Sequence, residues 1–203
     1  PRSTLFPYTT LFRSIDLASA EKEIVAALDS AFSEVGFCIC NNAYSDPEIR
    51  EDAFAASRAF HKLPETVKAS YAINSAHRGY IAPNSSTSRT SSVAKVQRPN
   101  TSESFMLMHE VLENDPRLGK PLQGPNQWPQ EVPGFQDKMT AYWQDVNCTA
   151  RKLAKLCLKA LGIEIGLYEA WFRQPTEFLR LLHYWPEVPD EPQDSFGDRK
   201  SVV

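Results

Sequence analysis

The chain has 203 residues, 42% of them hydrophobic, with 22 basic and 25 acidic side chains and a net charge of −3. That length is one domain's worth of chain, enough to bury a real core. The mild acidity, with no basic run, argues against nucleic acid or an anionic membrane as partner, and no apolar stretch approaches a bilayer span.

Both ends read as foreign. One DNA string coding for Asp198–Val203 has a reverse complement that falls within a legal coding of Tyr8–Ser14. Unrelated natural ends rarely satisfy that, and the string resembles a common sequencing-library adapter whose longer form fits Thr4–Ser14. Residues 1–14 and 198–203 are therefore set aside as adapter-derived tails. The remaining stretch, Ile15–Gly197, is more acidic than the whole.

Ser19 can cap a helix over Ala20–Glu34, with Ile24, Ala27, Leu28, Ala31 and Val35 as its buried stripe and Gly36 as its stop. Phe37-Cys38-Ile39-Cys40 suits a short buried strand, and Asn41-Asn42 turns the chain. Asp46-Pro47-Glu48 combines a cap, a first-turn proline and an acid at the positive end, so a second helix should run to about Lys62. Ile49, Ala53, Phe54, Ser57 and Phe60 mark one side of it. Leu63-Pro64 breaks that helix and starts a short one to Ser70.

The Ser/Thr-rich span from Ala76 to Asn100 reads as a long loop around Arg78-Gly79-Tyr80, long enough to cover a site. Thr101–Met108 suits a strand, and Asp115–Pro133 an irregular crossing. Phe135–Leu161 is the longest helix, with Met139, Leu153, Cys157, Leu158 and Leu161 among its inner positions and Gly162 ending it. Leu167–Phe172 should form another short helix, and Leu179–Tyr184 a buried strand that runs into an acidic, proline-rich loop.

The side-chain chemistry is sparse. The four cysteines form no CxxC pair and read as buried free thiols in a reducing, cytoplasmic setting, with a zinc site as a distant second reading. The histidines, His61, His77, His109 and His183, lack metal-ligand spacing. His61 sits near a helix end, where a cation is favoured, and His183 reads as a hydrogen-bonded core residue. No nucleophile elbow, P-loop or dinucleotide fingerprint is present. Spacing alone yields an α+β domain without an assigned reaction.

Two blocks carry a resemblance. The first holds Val35-Gly36-Phe37 through Asn41-Asn42, then Ala59-Phe60-His61-Lys62-Leu63-Pro64 with Lys68, then Arg78-Gly79-Tyr80. The second is Leu179-Arg180-Leu181-Leu182-His183-Tyr184-Trp185-Pro186, followed by Phe196-Gly197. In that order they resemble the isopenicillin N synthase-like branch of the iron(II)/2-oxoglutarate-dependent oxygenases. The resemblance covers nearly all of Ile15–Gly197.

It implies an N-terminal α/β region over residues 15–121. Residues 122–197 would then hold the long helix and the first strands of a double-stranded β-helix, or jelly roll. The family's iron sits in a two-histidine, one-carboxylate triad. Its place falls after Gly197, so the resemblance implies an N-terminal fragment, inactive alone, with no metal ligand among these residues.

Iron(II) and 2-oxoglutarate are the implied cofactors of the parent, with dioxygen and a small organic molecule as substrates. Tyr184 matches the tyrosine that can donate its hydroxyl to a 2-oxoglutarate carboxylate, although Trp185 intervenes before Pro186. Arg180, Tyr80, Glu103 and Phe105 match places that can line the substrate cavity. Their plainer readings are a strand-edge ion pair for Arg180, core aromatics for Tyr80 and Phe105, and a solvated acid for Glu103. Two alternatives stand beside this: an isopenicillin N synthase-type oxidase without 2-oxoglutarate, and a non-catalytic binding protein on the same fold.

Overall fold

The computed structural model describes residues 12–43, 46–85 and 102–185. The C-terminal tail, the proline-rich loop, most of the N-terminal tail and most of the Ser/Thr-rich loop lie outside these. The described residues divide into two compact units. One draws on residues up to Glu51 and on Thr140–Pro175, the other on Asp52–Met139 and the residues from Thr176 on.

In the first unit, β1 (Arg13–Asp16) pairs in parallel with β2 (Cys38–Asn41), from Arg13 opposite Cys38 to Asp16 opposite Asn41. The pairing thus reaches two residues into the segment set aside as a tail. Helix α1 (Glu21–Glu34) connects the strands. Its apolar spacing buries Ile24, Leu28 and Ala31 against Ile15, Leu17 and Leu156, which form one hydrophobic cluster.

Three local expectations fail here. Ala20, not Ser19, takes the N-cap position of α1, and no side chain caps that end. Val35 is exposed. β2 is not a buried strand: Phe37 is 68% exposed and Ile39 49%, while Cys38 and Cys40 alternate towards the core and are half-buried. The thiols are all free, but none is fully buried, and Cys148 is exposed.

Helix α2 (Pro47–His61) begins as its residues dictate. The Asp46 carboxylate accepts the Glu48 N–H at 2.8 Å, satisfying one of the helix's orphan donors. It buries Ala53, Ala56 and Phe60, whereas Phe54 faces solvent. After Pro64 comes α3 (Glu65–Ser70).

Part of the expected Arg78 loop is strand. β3 (Gly79–Ile81), β4 (Glu103–Met108) and β5 (Phe178–His183) form an antiparallel sheet in the second unit with β4 at its centre. Helix α4 (Phe135–Ala160) buries Phe135, Met139 and Leu156, and Leu161 beyond it is exposed. Helix α5 (Ile165–Trp171) follows. Among the described residues no helix is long and apolar enough to cross a membrane.

The irregular crossing is held by side chains that complete backbone hydrogen bonds. Asn126 pairs both ways with the Met108 backbone, accepting its N–H at 2.9 Å and donating to its carbonyl at 2.7 Å. Gln127 donates to the carbonyls of Ala72 and Arg78 at 3.0 and 2.7 Å. Arg78, with no measurable exposure, donates to the carbonyls of Leu122 and His109 at 3.0 and 2.8 Å. Gly79 sits at φ +119°, and a Cβ there would lie 2.3 Å from the Tyr71 carbonyl oxygen. Only glycine meets both conditions.

Candidate functional site

The register of the three-stranded sheet sorts the candidate residues by face. Glu103 lies opposite His183, and Phe105 opposite both Leu181 and Tyr80. Because side chains alternate along a strand, Tyr80, Glu103, Phe105, Leu181 and His183 share one face. Ser104, Met106, Arg180 and Leu182 share the other.

The first face is a closed core. Phe60 of α2 meets Tyr80, Phe105 and Phe135 with ring centroids 5.9, 4.6 and 6.0 Å apart. At its edge Glu103, 1% exposed, is not the solvated acid of the plainer expectation. Its Oε2 accepts Lys68 Nζ at 2.6 Å and the Tyr80 hydroxyl, and its Oε1 accepts His183 Nδ1–H at 2.8 Å. Lys68 Nζ also donates to the His61 carbonyl at 3.3 Å.

Pro64 explains how Lys68 arrives. It ends α2 and starts α3, so that Lys68 on the first turns of α3 reaches β4. Burial alone would lift the Glu103 carboxyl. The hydrogen bonds from Lys68, Tyr80 and His183 outweigh it and hold the group below its ordinary value. Burial, then the bond to Glu103, drives the Tyr80 hydroxyl well above its ordinary value.

His61 belongs to the same cluster, its ring 5.2 Å from that of His183. Its Nδ1–H donates to the Ser57 carbonyl at 2.8 Å, and its buried Nε2 has no hydrogen-bond partner among the described residues. Burial holds the imidazole below its ordinary value, outweighing the Ser57 bond and the nearby Glu103 charge. Burial thus works against the cation expected near this helix end.

His61, His183 and Glu103 have the composition of a two-histidine, one-carboxylate site, but they do not fit one. Both Glu103 oxygens are committed to protein donors. Among the described residues no three His, Cys, Asp or Glu side chains converge as a metal cage. The cluster is a hydrogen-bond network that ties α2 and α3 to all three strands.

The other face is different in kind. Arg180 Nε donates to the buried Ser104 hydroxyl at 3.0 Å, and among the described residues no ion pair of Arg180 accompanies it. Leu182 is exposed, and Tyr184, directly after β5, is 56% exposed. The candidates read together from the sequence thus split: Tyr80, Glu103 and Phe105 are walled into the core, and Arg180 and Tyr184 are not.

Sequence reading missed Lys68 and His183 as partners of Glu103. The available signal was phase. Glu103 alternates with Phe105 and Leu107, so a charge at that position had to be buried and partnered.

Residues 12–131 match the family model described as non-haem dioxygenase in morphine synthesis N-terminal. Over 169 residues the chain is 30% identical to the 2-oxoglutarate-dependent dioxygenase eupC of Phoma sp, covering 75% of the chain and 50% of that protein. It is 29% identical over 181 residues to azadirone synthase LFS of Melia azedarach, covering 84% of the chain and 52% of that protein.

Among solved structures, a Caulobacter crescentus protein assigned to the 2OG-Fe(II) oxygenase family superposes with a TM-score of 0.74 at 21% identity, over 89% of this chain and 58% of that one. A full-length Neurospora crassa protein in complex with alpha-KG gives 0.66 at 22% identity, over 84% of this chain and 53% of that one. At such identities the structures show a shared fold. The chain spans about half the length of the curated relatives it matches.

Proposed function

The chain belongs to the non-haem iron(II)- and 2-oxoglutarate-dependent dioxygenase family, and on that premise we propose that it is the N-terminal part of such an enzyme, acting on a small organic substrate. β3, β4 and β5 are the opening strands of its jelly roll. When bound, iron(II) and 2-oxoglutarate supply the power to oxidise an unactivated C–H bond with dioxygen. The iron ligands of the whole enzyme are assigned to residues outside those described, since the one composition that matches does not fit.

The observation that carries this reading is the two-faced sheet. The Glu103 network anchors β5 from behind through His183, and the next residue, Tyr184, is left open on the way to solvent. In this role Tyr184 donates its hydroxyl to a carboxylate of the oxo acid, and Arg180 lines the substrate side. Tyr80, Glu103 and Phe105 then serve substrate binding only as the rigid wall behind that face.

The purified 203-residue chain, supplied with iron(II) and 2-oxoglutarate, is expected to release no succinate above an iron-free blank; clear turnover would overturn the assignment of the ligands. In the uninterrupted enzyme, Tyr184→Phe is expected to raise the KM for 2-oxoglutarate about tenfold, the loss of one charge-assisted hydrogen bond. An unchanged KM would remove Tyr184 from the site.

A further inference from the structure

The first unit contains a cleft that the oxygenase reading does not use. Its volume is about 320 Å³, at the lower end of small-molecule sites and room for roughly ten waters. Its floor is apolar, built from the core residues Ile24 and Leu156 together with Ile165 of α5. Its wall is a row of three lysines on α4, Lys152, Lys155 and Lys159, spaced so that all three lie on one side of the helix.

The lysines are not equivalent. Lys155 pairs with Glu169 at 2.8 Å and Lys159 with Glu21 at 2.5 Å, and all four of these side chains are well exposed. Such rim pairs are weak and exchange readily for another anion. Among the described residues Lys152 has no carboxylate: its ammonium donates to the Leu17 carbonyl at 2.8 Å. Among the described residues, one positive charge at this wall is therefore offset by a backbone dipole alone. It also lines a second cleft on the same unit, which places it between two cavities.

We propose that this cleft binds an amphipathic organic anion, a carboxylate with a short alkyl tail, with the head group on Lys152 and the tail over Ile24, Leu156 and Ile165. The tail packs against the half-buried Ile165 above the buried Ile24 and Leu156, and the head group supplies a counter-charge that Lys152 lacks among the described residues. A small inorganic anion leaves the apolar half of the cleft unfilled, and a neutral alcohol leaves the charge unmatched, so neither satisfies both halves of the site.

The test is titration of the 203-residue chain with octanoate, octanol and acetate, followed by amide and methyl NMR shifts. Saturable octanoate shifts centred on Ile24, Leu156 and Ile165 are expected, with octanol and acetate at least tenfold weaker. Lys152→Met keeps the aliphatic stem and removes the charge, and should weaken octanoate about tenfold. Lys155→Met, at an already paired lysine, should change it less than threefold. Equal binding of octanol, shifts elsewhere on the chain, or an unaffected Lys152→Met with a native spectrum would each overturn the proposal. Should Lys152→Met not fold, the octanoate-against-octanol comparison on the unaltered chain decides alone.

Discussion

Glu103 shows why a buried charge is expensive to disturb. Its carboxylate is shared by an ammonium, a phenol and an imidazole with almost no solvent access. Glu103→Gln leaves Lys68 charged, buried and without its counter-ion, so it should cost about 3–5 kcal/mol in urea unfolding. Changing Lys68 to Met in the same chain should recover part of that loss. Acid should act on the same cluster. Glu103 and His61 both have values below the ordinary ones in the fold. The unfolded chain therefore binds more protons than the folded chain on acidification, and stability falls as protons are added. The decline should begin near pH 6.5, where an ordinary histidine titrates, and deepen as the pH falls below the ordinary carboxylate range. A urea midpoint that is flat from about pH 7.5 to 4.5 would contradict this. Neither effect was legible from Glu103 alone. Its neighbours Phe105 and Met106 are in view, but its partners are 35 residues before it and 80 after it in the chain.

Local signals are legible where the cause is local. Asp46-Pro47-Glu48 starts α2 as expected because the cap, the fixed φ and the acid all act within one turn. The break at Leu63-Pro64 holds for the same reason. Burial is less legible. Phe37 and Ile39 look like core from composition, yet strand alternation turns them away and brings in Cys38 and Cys40. Alternation also separates Arg180 from Glu103, although both match candidate positions. β3 was hidden because a glycine-led triplet carries no strand pattern of its own. It forms because Arg78, Gln127 and Gly79 close the backbone around it. Gly79→Ala should therefore unravel more than a loop. The Cβ would meet backbone at 2.3 Å and the φ is unfavourable, so a loss of at least ~2 kcal/mol is expected. An unchanged thermal midpoint would show that the Tyr71 segment yields freely.

At the scale of the molecule, β5 is an edge with exposed apolar side chains. Among the described residues β5 pairs only with β4, and it carries exposed Phe178 and Leu182, with Tyr184 and Trp185 just beyond. An apolar edge of this kind invites strand pairing with another copy. The variant Phe178→Lys/Leu182→Lys should raise soluble yield severalfold with little change in urea midpoint, because neither side chain is buried. A lower midpoint without a gain in yield would mean that this face is covered. The hydrophobic cluster of the first unit has a consequence in time. It joins Ile15, Leu17, Ile24, Leu28 and Ala31 to Leu156, so five of its six members leave the ribosome long before the last. At about 5–20 residues per second the interval is roughly 6–25 s. During that interval a nascent α1 carries a greasy stripe with no lid, and a holding chaperone has its target.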